Sequence, residues 1–405
     1  MPSSPPSAAA RPILSRLAAG LEGGLDLAAL LFLPVLALVS RGLAALAAIA
    51  GVLALALVLC SRPGALRTPA APAVLFALLV LWGAISAAWS PDPALSLIMA
   101  ARLAGLFAAG LALVACVPVI AAPERLLRCF FAGLALGLAI LWVQRATGGV
   151  LTRPFFVRGF VAPQLNQASD TLAILALPAS AMLWHEHRRG AALLLLSAAA
   201  AIYTLVGTSA QASFVAGLAA AFLFYYRRGL FAPIAAVLSV LVIVTAPLTF
   251  GKLAQIGPFV HLADDFKSSV PHRLLIWSFV GDRIAEKPFR GWGLDASRTI
   301  PGGTEWIRPG QPWLPLHPHD APLQLWLELG VPGIVLGALI IARLWRALGT
   351  ARWPPLYAAA CAGGLAAALA EALGTYGIWQ EWWVGTLWFS LFLTLVMARS
   401  GKAVV

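Results

Sequence analysis

About twelve apolar segments, each close to the length of a membrane-spanning helix, dominate this 405-residue chain. Hydrophobic residues make up 61% of the sequence and charged residues only 11%, which excludes an ordinary soluble protein. The apolar runs are long and continuous, whereas a membrane β-barrel would show short alternating segments. The sequence therefore predicts an all-α, polytopic membrane protein. The spans are predicted at residues 25–40, 42–60, 71–89, 95–117, 127–145, 168–185, 191–208, 211–226, 229–250, 323–342, 355–373 and 382–398.

Basic residues in the short loops indicate how these spans are oriented. With a cytoplasmic N-terminus, the cytoplasmic loops hold nearly all the short-loop arginines and lysines, and the short outer loops hold only Arg41. The positive-inside rule then predicts that both termini are cytoplasmic. Residues 1–24 show no clear cleavage site, so we expect the first helix to be retained. The net charge of +12 predicts contact with anionic lipid headgroups or phosphate-bearing ligands. Nucleic acid is not an expected partner, because the basic residues lie in loops between spans.

The longest polar stretch lies between the ninth and tenth spans and divides the chain into three parts. Residues 1–250 carry nine spans, residues 251–322 form one large outer loop, and residues 323–405 carry the last three spans. Within the loop, Val270 to Glu286 has apolar side chains at helical spacing, and Pro288 predicts its end. We expect this helix to lie along the membrane surface. The loop also carries many basic residues, for which an anionic ligand would provide a reason.

The start of the tenth span is the strongest candidate for chemistry. His317 and His319 precede it, and Asp320, Gln324 and Glu328 follow at i, i+4 spacing, which predicts one polar stripe on a helix. Such groups are costly at a membrane unless they are paired or functional. His319 suits a general base when neutral, or a phosphate ligand when charged. The spacing of the two histidines and Asp320 is poor for a single ion, so no metal site is predicted.

Two further clusters lie on the predicted outer face. Arg158-Gly159-Phe160, followed by Asn166, precedes the sixth span. Arg273 and Trp277 are one helical turn apart, and Arg290 lies in the segment Pro288 to Gly293. A guanidinium group is planar and suits phosphate, so these arginines are candidate anion ligands.

Other polar and aromatic residues near the outer surface allow more than one interpretation. Arg102 and Glu371 are intramembrane charges that either pair with each other or line the same cavity. The four cysteines show no metal-ligand spacing or disulfide framework and are interpreted as apolar packing residues. An aromatic run indicates an interfacial belt; its members are Tyr376, Trp379, Trp382 and Trp383.

These motifs together resemble a known family. One segment is similar to the signature of bacterial O-antigen ligases and related Wzy-type polymerases. It reads His319-Asp320, then nine residues, then Gly330-Val331-Pro332-Gly333. Further features resemble that superfamily as well: the Arg158 segment, the Arg273-to-Trp277 helix, the Pro288-to-Gly293 segment and the large loop after the ninth span. Asp320 differs from the ligase pattern, which usually has Asn, Ser or Gln there.

The resemblance implies glycosyl transfer in the periplasm by a multi-pass protein of the bacterial inner membrane with a GT-C-like fold. The implied glycan donor is linked to undecaprenyl pyrophosphate, the implied acceptor is lipid A–core, and neither a cofactor nor a metal is expected. In this interpretation His319 is the base or positions the acceptor, and Arg158, Arg273 and Arg290 bind the pyrophosphate. The supporting residues are His317, Asp320, Gln324, Glu328 and Asn166.

Two alternatives remain open on the sequence. A polymerase or a protein O-oligosaccharyltransferase would differ from the ligase in its acceptor, which the motifs hardly distinguish. A transporter is disfavoured, because the loop at residues 61–67 lacks the acidic-basic signature of the major facilitator group. The chain also shows no sign of two similar halves.

Overall fold

Helices make up most of the computed structural model, which describes residues 10–61, 71–152, 165–205, 207–256 and 270–401. A short antiparallel ribbon of β1 (Trp306–Arg308) and β2 (Gln311–Pro312) is the only sheet within those ranges. The helices in the same ranges are α1 (Ala10–Val39), α2 (Gly42–Ser61), α3 (Ala71–Ile85), α4 (Pro93–Cys116), α5 (Pro123–Thr147), α6 (Asn166–Leu183), α7 (Arg188–Thr204), α8 (Thr208–Thr249), α9 (Val270–Glu286), α10 (Ala321–Thr350), α11 (Pro355–Ala372) and α12 (Glu381–Gly401).

Every predicted span coincides with a helix, and the class of an all-α, polytopic membrane protein is confirmed. Nine helices in the described part of the chain are long and apolar enough to cross a membrane; α6, α7 and α9 are not among them. Helix α8 covers the predicted eighth and ninth spans, with a non-helical residue, Arg227, at their junction. The first helix begins at Ala10 and not near residue 25. The total of twelve spans, the GT-C-like arrangement and the three-part division of the chain stay predictions.

One compact unit comprises the described residues within the ranges 1–69, 105–211 and 384–405. Helix α1 packs along α5 and α2, and Phe32 stacks on Phe389 with ring centroids 4.8 Å apart. Two carboxylates of α1 are nearly buried but bonded: Glu22 accepts from the Ala121 N–H at 2.7 Å, and Asp26 pairs with Arg125 at 2.5 Å. These bonds offset the cost of burying the charges within an apolar bundle.

The second compact unit comprises the described residues within the ranges 70–104 and 212–383. Helix α10 packs against α3, α9 and α11 within it. The predicted helix from Val270 to Glu286 is confirmed as α9, with Leu274, Ile276, Val280 and Ile284 buried. Ile276, Val280 and Ile284 join a core with Trp292, Leu314, Leu323 and Leu327, so protein covers this part of the apolar face. The position of α9 relative to the membrane surface stays a prediction.

Helix α10 is broken at Gly330, so the predicted tenth span is two helical segments and not one continuous helix. Gly330 has φ 59° and ψ −154°, a conformation that only glycine adopts readily. Two residues later, Pro332 has no N–H to donate to the Glu328 carbonyl. The break therefore leaves several carbonyls without helical partners.

The freed backbone groups at the break bond to the segment after α9. The Leu327 and Glu328 carbonyls accept from the N–H groups of Trp292 and Gly293 at 2.8 and 2.9 Å. The Val331 N–H points back to the Pro288 and Phe289 carbonyls, at 3.2 and 3.1 Å. The Leu329 carbonyl accepts from the indole of Trp82 at 2.9 Å. Two motifs that are far apart in sequence are thus joined through backbone bonds, as buried polar groups require.

Candidate active site

The turn that leads into α10 holds both histidines. Asp320 caps the helix: its Oδ1 accepts from the Leu323 N–H at 2.7 Å, as expected for an N-cap aspartate. His319 just before it has φ 58°, which is uncommon for a residue with a side chain. His317 and His319 lie with ring centroids 4.3 Å apart. The cap and the turn thus hold two imidazoles at the mouth of the helix.

The hydrogen bond of His319 defines which ring nitrogen can act. Its Nδ1 lies 2.6 Å from the Thr375 carbonyl oxygen, which only accepts, so Nδ1 carries the proton. In the neutral ring, Nε2 then carries the lone pair, and it makes no hydrogen bond within the described part of the chain. Burial lowers the pKa of His319 below its ordinary value of 6.5, although the bond to Thr375 opposes that shift. The half-buried ring therefore favours the neutral form with a free Nε2.

His317 is a buried neutral imidazole that supports the turn. Its Nδ1 accepts from the His319 N–H at 3.2 Å, so its own proton lies on Nε2. The Gln380 amide nitrogen lies 3.1 Å from Nε2, and turning this amide by 180° places its oxygen there to accept the Nε2 proton. Burial, together with the smaller effects of His319, Arg298 and Arg273, lowers the pKa of His317 to about 3. His317 therefore supports His319 and does not compete with it as a base.

Helix α9 brings Arg273 and Trp277 to the same turn, as the spacing predicted. The Trp277 indole donates to the Pro318 carbonyl at 2.9 Å, and Arg273 donates through Nη1 to the Gly374 carbonyl. Arg273 has no carboxylate partner within the described ranges. Burial lowers the pKa of Arg273 from its ordinary value, yet a guanidinium group remains charged. A half-buried arginine without a carboxylate is suited to bind an anion.

Gln324 and Glu328 form the predicted polar stripe and fasten three segments together. The Gln324 amide donates to Glu328 at 3.0 Å, and its oxygen accepts from the Ile378 N–H at 2.9 Å. Glu328 is fully buried and also accepts from the Trp379 indole at 2.6 Å. Two more bonds reach it from the Asp295 N–H at 2.6 Å and the Ser297 hydroxyl at 2.5 Å. Glu328 therefore holds the turn before α12 and the turn after α9 against α10.

Asp320 has a second carboxylate oxygen, Oδ2, that is buried without a hydrogen-bond partner among the described residues. Burial raises the pKa of Asp320 to about 7, and the bond from Leu323 lowers it by a smaller amount. A neutral carboxylic acid and a carboxylate both preserve the cap through Oδ1. This side chain therefore supports the helix start in either protonation state.

Three predicted site residues remain: Arg290, Asn166 and Arg158. Arg290 is exposed, with its guanidinium 5.7 Å from the centre of the Trp89 ring. Asn166 begins α6 in the first compact unit. Arg158 lies outside the described residues. Arg102 pairs with Glu381 at 2.8 Å, a partner that the sequence interpretation did not consider.

The segment from Thr375 to Gln380 was missed as part of the site, and the interpretation of its aromatic run as an interfacial belt is wrong. Trp379 is only 3% exposed and donates to Glu328, and Trp382 and Trp383 are buried as well. An interfacial belt would expose these rings to lipid. Thr375 and Gln380, polar residues within the aromatic run, are the signal that indicates a buried hydrogen-bonding segment.

This chain is similar to known proteins, and the match to one family model covers the turn at the start of α10. The family model of the O-antigen ligases matches residues 191–338, which include Arg273, Arg290 and the whole turn from His317 to Glu328. Relatives named "Putative polysaccharide ligase" are 28% identical over 282 residues in Rickettsia conorii and 29% identical over 282 residues in Rickettsia bellii. Each alignment covers 67% of this chain and 67% or 68% of the relative, respectively. This chain is therefore similar to the O-antigen ligases over residues 191–338 and to proteins named polysaccharide ligases over about two thirds of its length.

Proposed function

We propose that this protein is an O-antigen ligase: an inverting glycosyltransferase that moves a glycan from undecaprenyl pyrophosphate onto lipid A–core in lipopolysaccharide biosynthesis. In this proposal it acts in the bacterial inner membrane without a metal or cofactor. Its active site faces the periplasm and both termini are cytoplasmic. The family match, the names of the relatives and the nine apolar helices in the described ranges support it. The observation that carries it is the neutral His319, with a free Nε2, beside an arginine without a carboxylate partner.

The proposed step is a single displacement with His319 as general base. Nε2 accepts the proton of an acceptor sugar hydroxyl as that oxygen bonds to the anomeric carbon of the glycan. The bond between this carbon and the pyrophosphate oxygen breaks on the opposite face, which inverts the configuration. The bonding electrons leave with undecaprenyl pyrophosphate, and the proton then passes from His319 to solvent.

The departing pyrophosphate needs positive charge where its own charge develops. Arg273 is the described residue best placed to supply it, because its backbone partner Gly374 directly precedes Thr375, the partner of His319. Arg158 is proposed as a second arginine on the strength of the resemblance alone. Arg290 is proposed as an outer contact, because its guanidinium is exposed. Charge-assisted, planar contacts of this kind are the strong form of pyrophosphate recognition.

Complementation of a bacterium that lacks its own O-antigen ligase tests this function. The wild-type chain is expected to restore the lipopolysaccharide ladder, and His319→Ala and Arg273→Ala are expected to abolish it. His185→Ala is the matched control, since His185 is an exposed histidine at the end of α6. All variants must reach the membrane at equal levels. Full ladder formation by His319→Ala would contradict the proposed base.

The product identifies the acceptor if the ladder is absent in a strain whose glycan donor and core are compatible. Longer lipid-linked chains would indicate a polymerase. A glycosylated protein would indicate a protein O-oligosaccharyltransferase. Either product would overturn the proposed acceptor and leave the roles of His319 and Arg273 to be tested in that reaction.

A further inference from the structure

The turn from Gly293 to Arg298 is anchored on all sides and ends in an arginine to which no function is assigned above. The Leu294 N–H donates to the Ser86 hydroxyl at 2.9 Å, and the Leu294 carbonyl accepts from the Ser96 hydroxyl at 2.6 Å. Residues 294–297 are all buried. Because the four residues before Arg298 are buried and hydrogen bonds hold their turn, the Arg298 side chain leaves the turn from a defined position.

Asp295 is the residue that orients Arg298. The Asp295 backbone has φ 58°, and its N–H donates to the Glu328 carboxylate. The same carboxylate also accepts from Trp379. Both Asp295 oxygens accept from Nε of Arg298, at 3.0 and 2.8 Å. A conventional bidentate pair would use an Nη group as well. Here both Nη groups of Arg298 make no hydrogen bond within the described part of the chain.

Arg298 and the histidine pair are connected through the bonds of Glu328. The charge of Arg298 is one of the causes that lower the pKa of His317, together with Arg273. The Glu328 carboxylate accepts from the Arg298 turn and also from Trp379. Trp379 directly precedes Gln380, which contacts His317. The side chain of Arg298 is 37% exposed, which leaves its Nη groups accessible.

We propose that Arg298 is a further pyrophosphate-binding residue, oriented by Asp295, that contacts the phosphate groups of the glycan donor together with the α9 arginine, Arg273. The inference rests on the proposed function, because it takes the lipid-linked pyrophosphate as the ligand. Arg273 and Arg298 come from different elements, so together they bind two phosphate groups with two planar guanidinium groups. Each Nη group free of protein partners provides N–H donors for phosphate oxygens.

Direct binding to the purified full-length chain in detergent tests this residue. The probes are inorganic pyrophosphate and farnesyl pyrophosphate, titrated by calorimetry into the wild type, Arg298→Ala and Arg298→Lys. Arg283→Ala is the matched control, because Arg283 also pairs with an acidic residue three positions away, Glu286, at 2.6 Å. We expect Arg298→Ala to weaken binding of both probes about tenfold or more, as for loss of a charge-assisted contact. The affinity of Arg298→Lys for both probes should lie between those of the wild type and Arg298→Ala, since lysine keeps the charge without the planar group.

The outcomes separate this inference from the proposed function. Unchanged affinity in Arg298→Ala or, if that variant does not fold, in Arg298→Lys would overturn the role of Arg298. A wild type that binds neither probe would overturn it as well. A wild type that restores the ladder while Arg298→Ala binds normally would leave the function intact and reject the inference. Arg298-dependent binding without ladder formation would support the anion site and reject the ligase.

Discussion

His319 is the residue whose protonation controls the proposed transfer. A general base must be neutral before it accepts a proton, and burial lowers the pKa of His319 from 6.5. The neutral form therefore persists to lower pH than for a solvent-exposed histidine. The bond from Nδ1 to Thr375 keeps the lone pair on Nε2 throughout that range.

This arrangement predicts the pH dependence of the reaction. As pH falls through the lowered pKa, His319 gains a proton and the rate falls, so the acid limb of kcat/KM should have its midpoint below 6.5. Above that pH the rate should be flat until another group titrates. Initial rates of glycan transfer with purified donor and acceptor, measured between pH 5 and 8, test this.

Asp320 requires a control, because its pKa of about 7 falls in the same interval. Asp320→Asn keeps an oxygen for the Leu323 N–H and cannot ionise, and asparagine is common at this position in the ligase pattern. We expect the acid limb of kcat/KM in Asp320→Asn to have the same midpoint as in the wild type. Disappearance of the limb in Asp320→Asn would assign the titration to Asp320 and not to His319.

Glu328 is the residue on which the site's geometry depends most. Four groups donate to its two oxygens, so Glu328→Gln places an amide N–H₂ opposite groups that also donate. We predict a loss of about 2–4 kcal/mol in the free energy of unfolding, as for a disrupted buried network. Thermal unfolding in detergent measures it.

Glu286→Gln is the control for Glu328→Gln. Glu286 pairs with Arg283 at the surface and is 45% exposed, so its loss should cost no more than about 1 kcal/mol. Equal unfolding temperatures for the two variants would show that the Glu328 network adds little stability.

At the scale of elements, the break in α10 decides where the site residues lie. Gln324 and Glu328 belong to the short helical segment before Gly330, and this segment is fastened to residues 288–293 through backbone bonds. A continuous helix would have kept the Leu327 and Glu328 carbonyls for its own next turn. The break is thus the feature that joins the Pro288-to-Gly293 motif to the histidine motif.

Gly330→Ala tests the need for this break. A Cβ at Gly330 would lie 2.5 Å from the Phe289 carbonyl oxygen and 2.7 Å from the Gly291 nitrogen, in a positive-φ conformation. Both neighbours are backbone atoms that cannot rotate away, so we predict a loss of at least about 1–3 kcal/mol in stability, with loss of transfer activity. Thermal unfolding and the transfer assay measure these effects.

Gly105→Ala provides the matched comparison for Gly330→Ala. Gly105 lies within α4, and an added Cβ there meets nothing within 4 Å. This substitution should leave the free energy of unfolding unchanged or raise it by up to about 1 kcal/mol, since alanine favours the helical conformation more than glycine does. A Gly330→Ala protein as stable and active as Gly105→Ala would show that the break is dispensable.

At the scale of the whole molecule, the loop charges predict an orientation in the membrane that is directly testable. In a background without the four native cysteines, Phe289→Cys and Trp306→Cys place a thiol on exposed positions predicted to be periplasmic. Tyr226→Cys places one on an exposed position predicted to be cytoplasmic. In spheroplasts, a membrane-impermeant maleimide should label the first two and reach position 226 only after permeabilisation. The reverse pattern would invert the topology.

Local and periodic information was enough to predict several parts of this protein. Continuous apolar runs predicted the class of fold, because a membrane helix must satisfy its own backbone and shows this in its sequence. The apolar spacing from Val270 to Glu286 predicted α9, and the i, i+4 spacing predicted that Gln324 and Glu328 share a face. The turn with His317 and His319 was likewise identified from its own residues.

Only the tertiary structure decided what surrounds those residues. Thr375, Trp379 and Gln380 are more than 50 positions from their partners in the site. No local pattern specifies which carbonyl His319 meets, or which four donors converge on Glu328. The position of Arg298 depends on Ser86, Ser96 and Glu328, which meet only after the chain folds. The sequence by itself determined the membrane class and the candidate base, because these depend on local composition. The proton position on that base and its surrounding charges depend on long-range contacts.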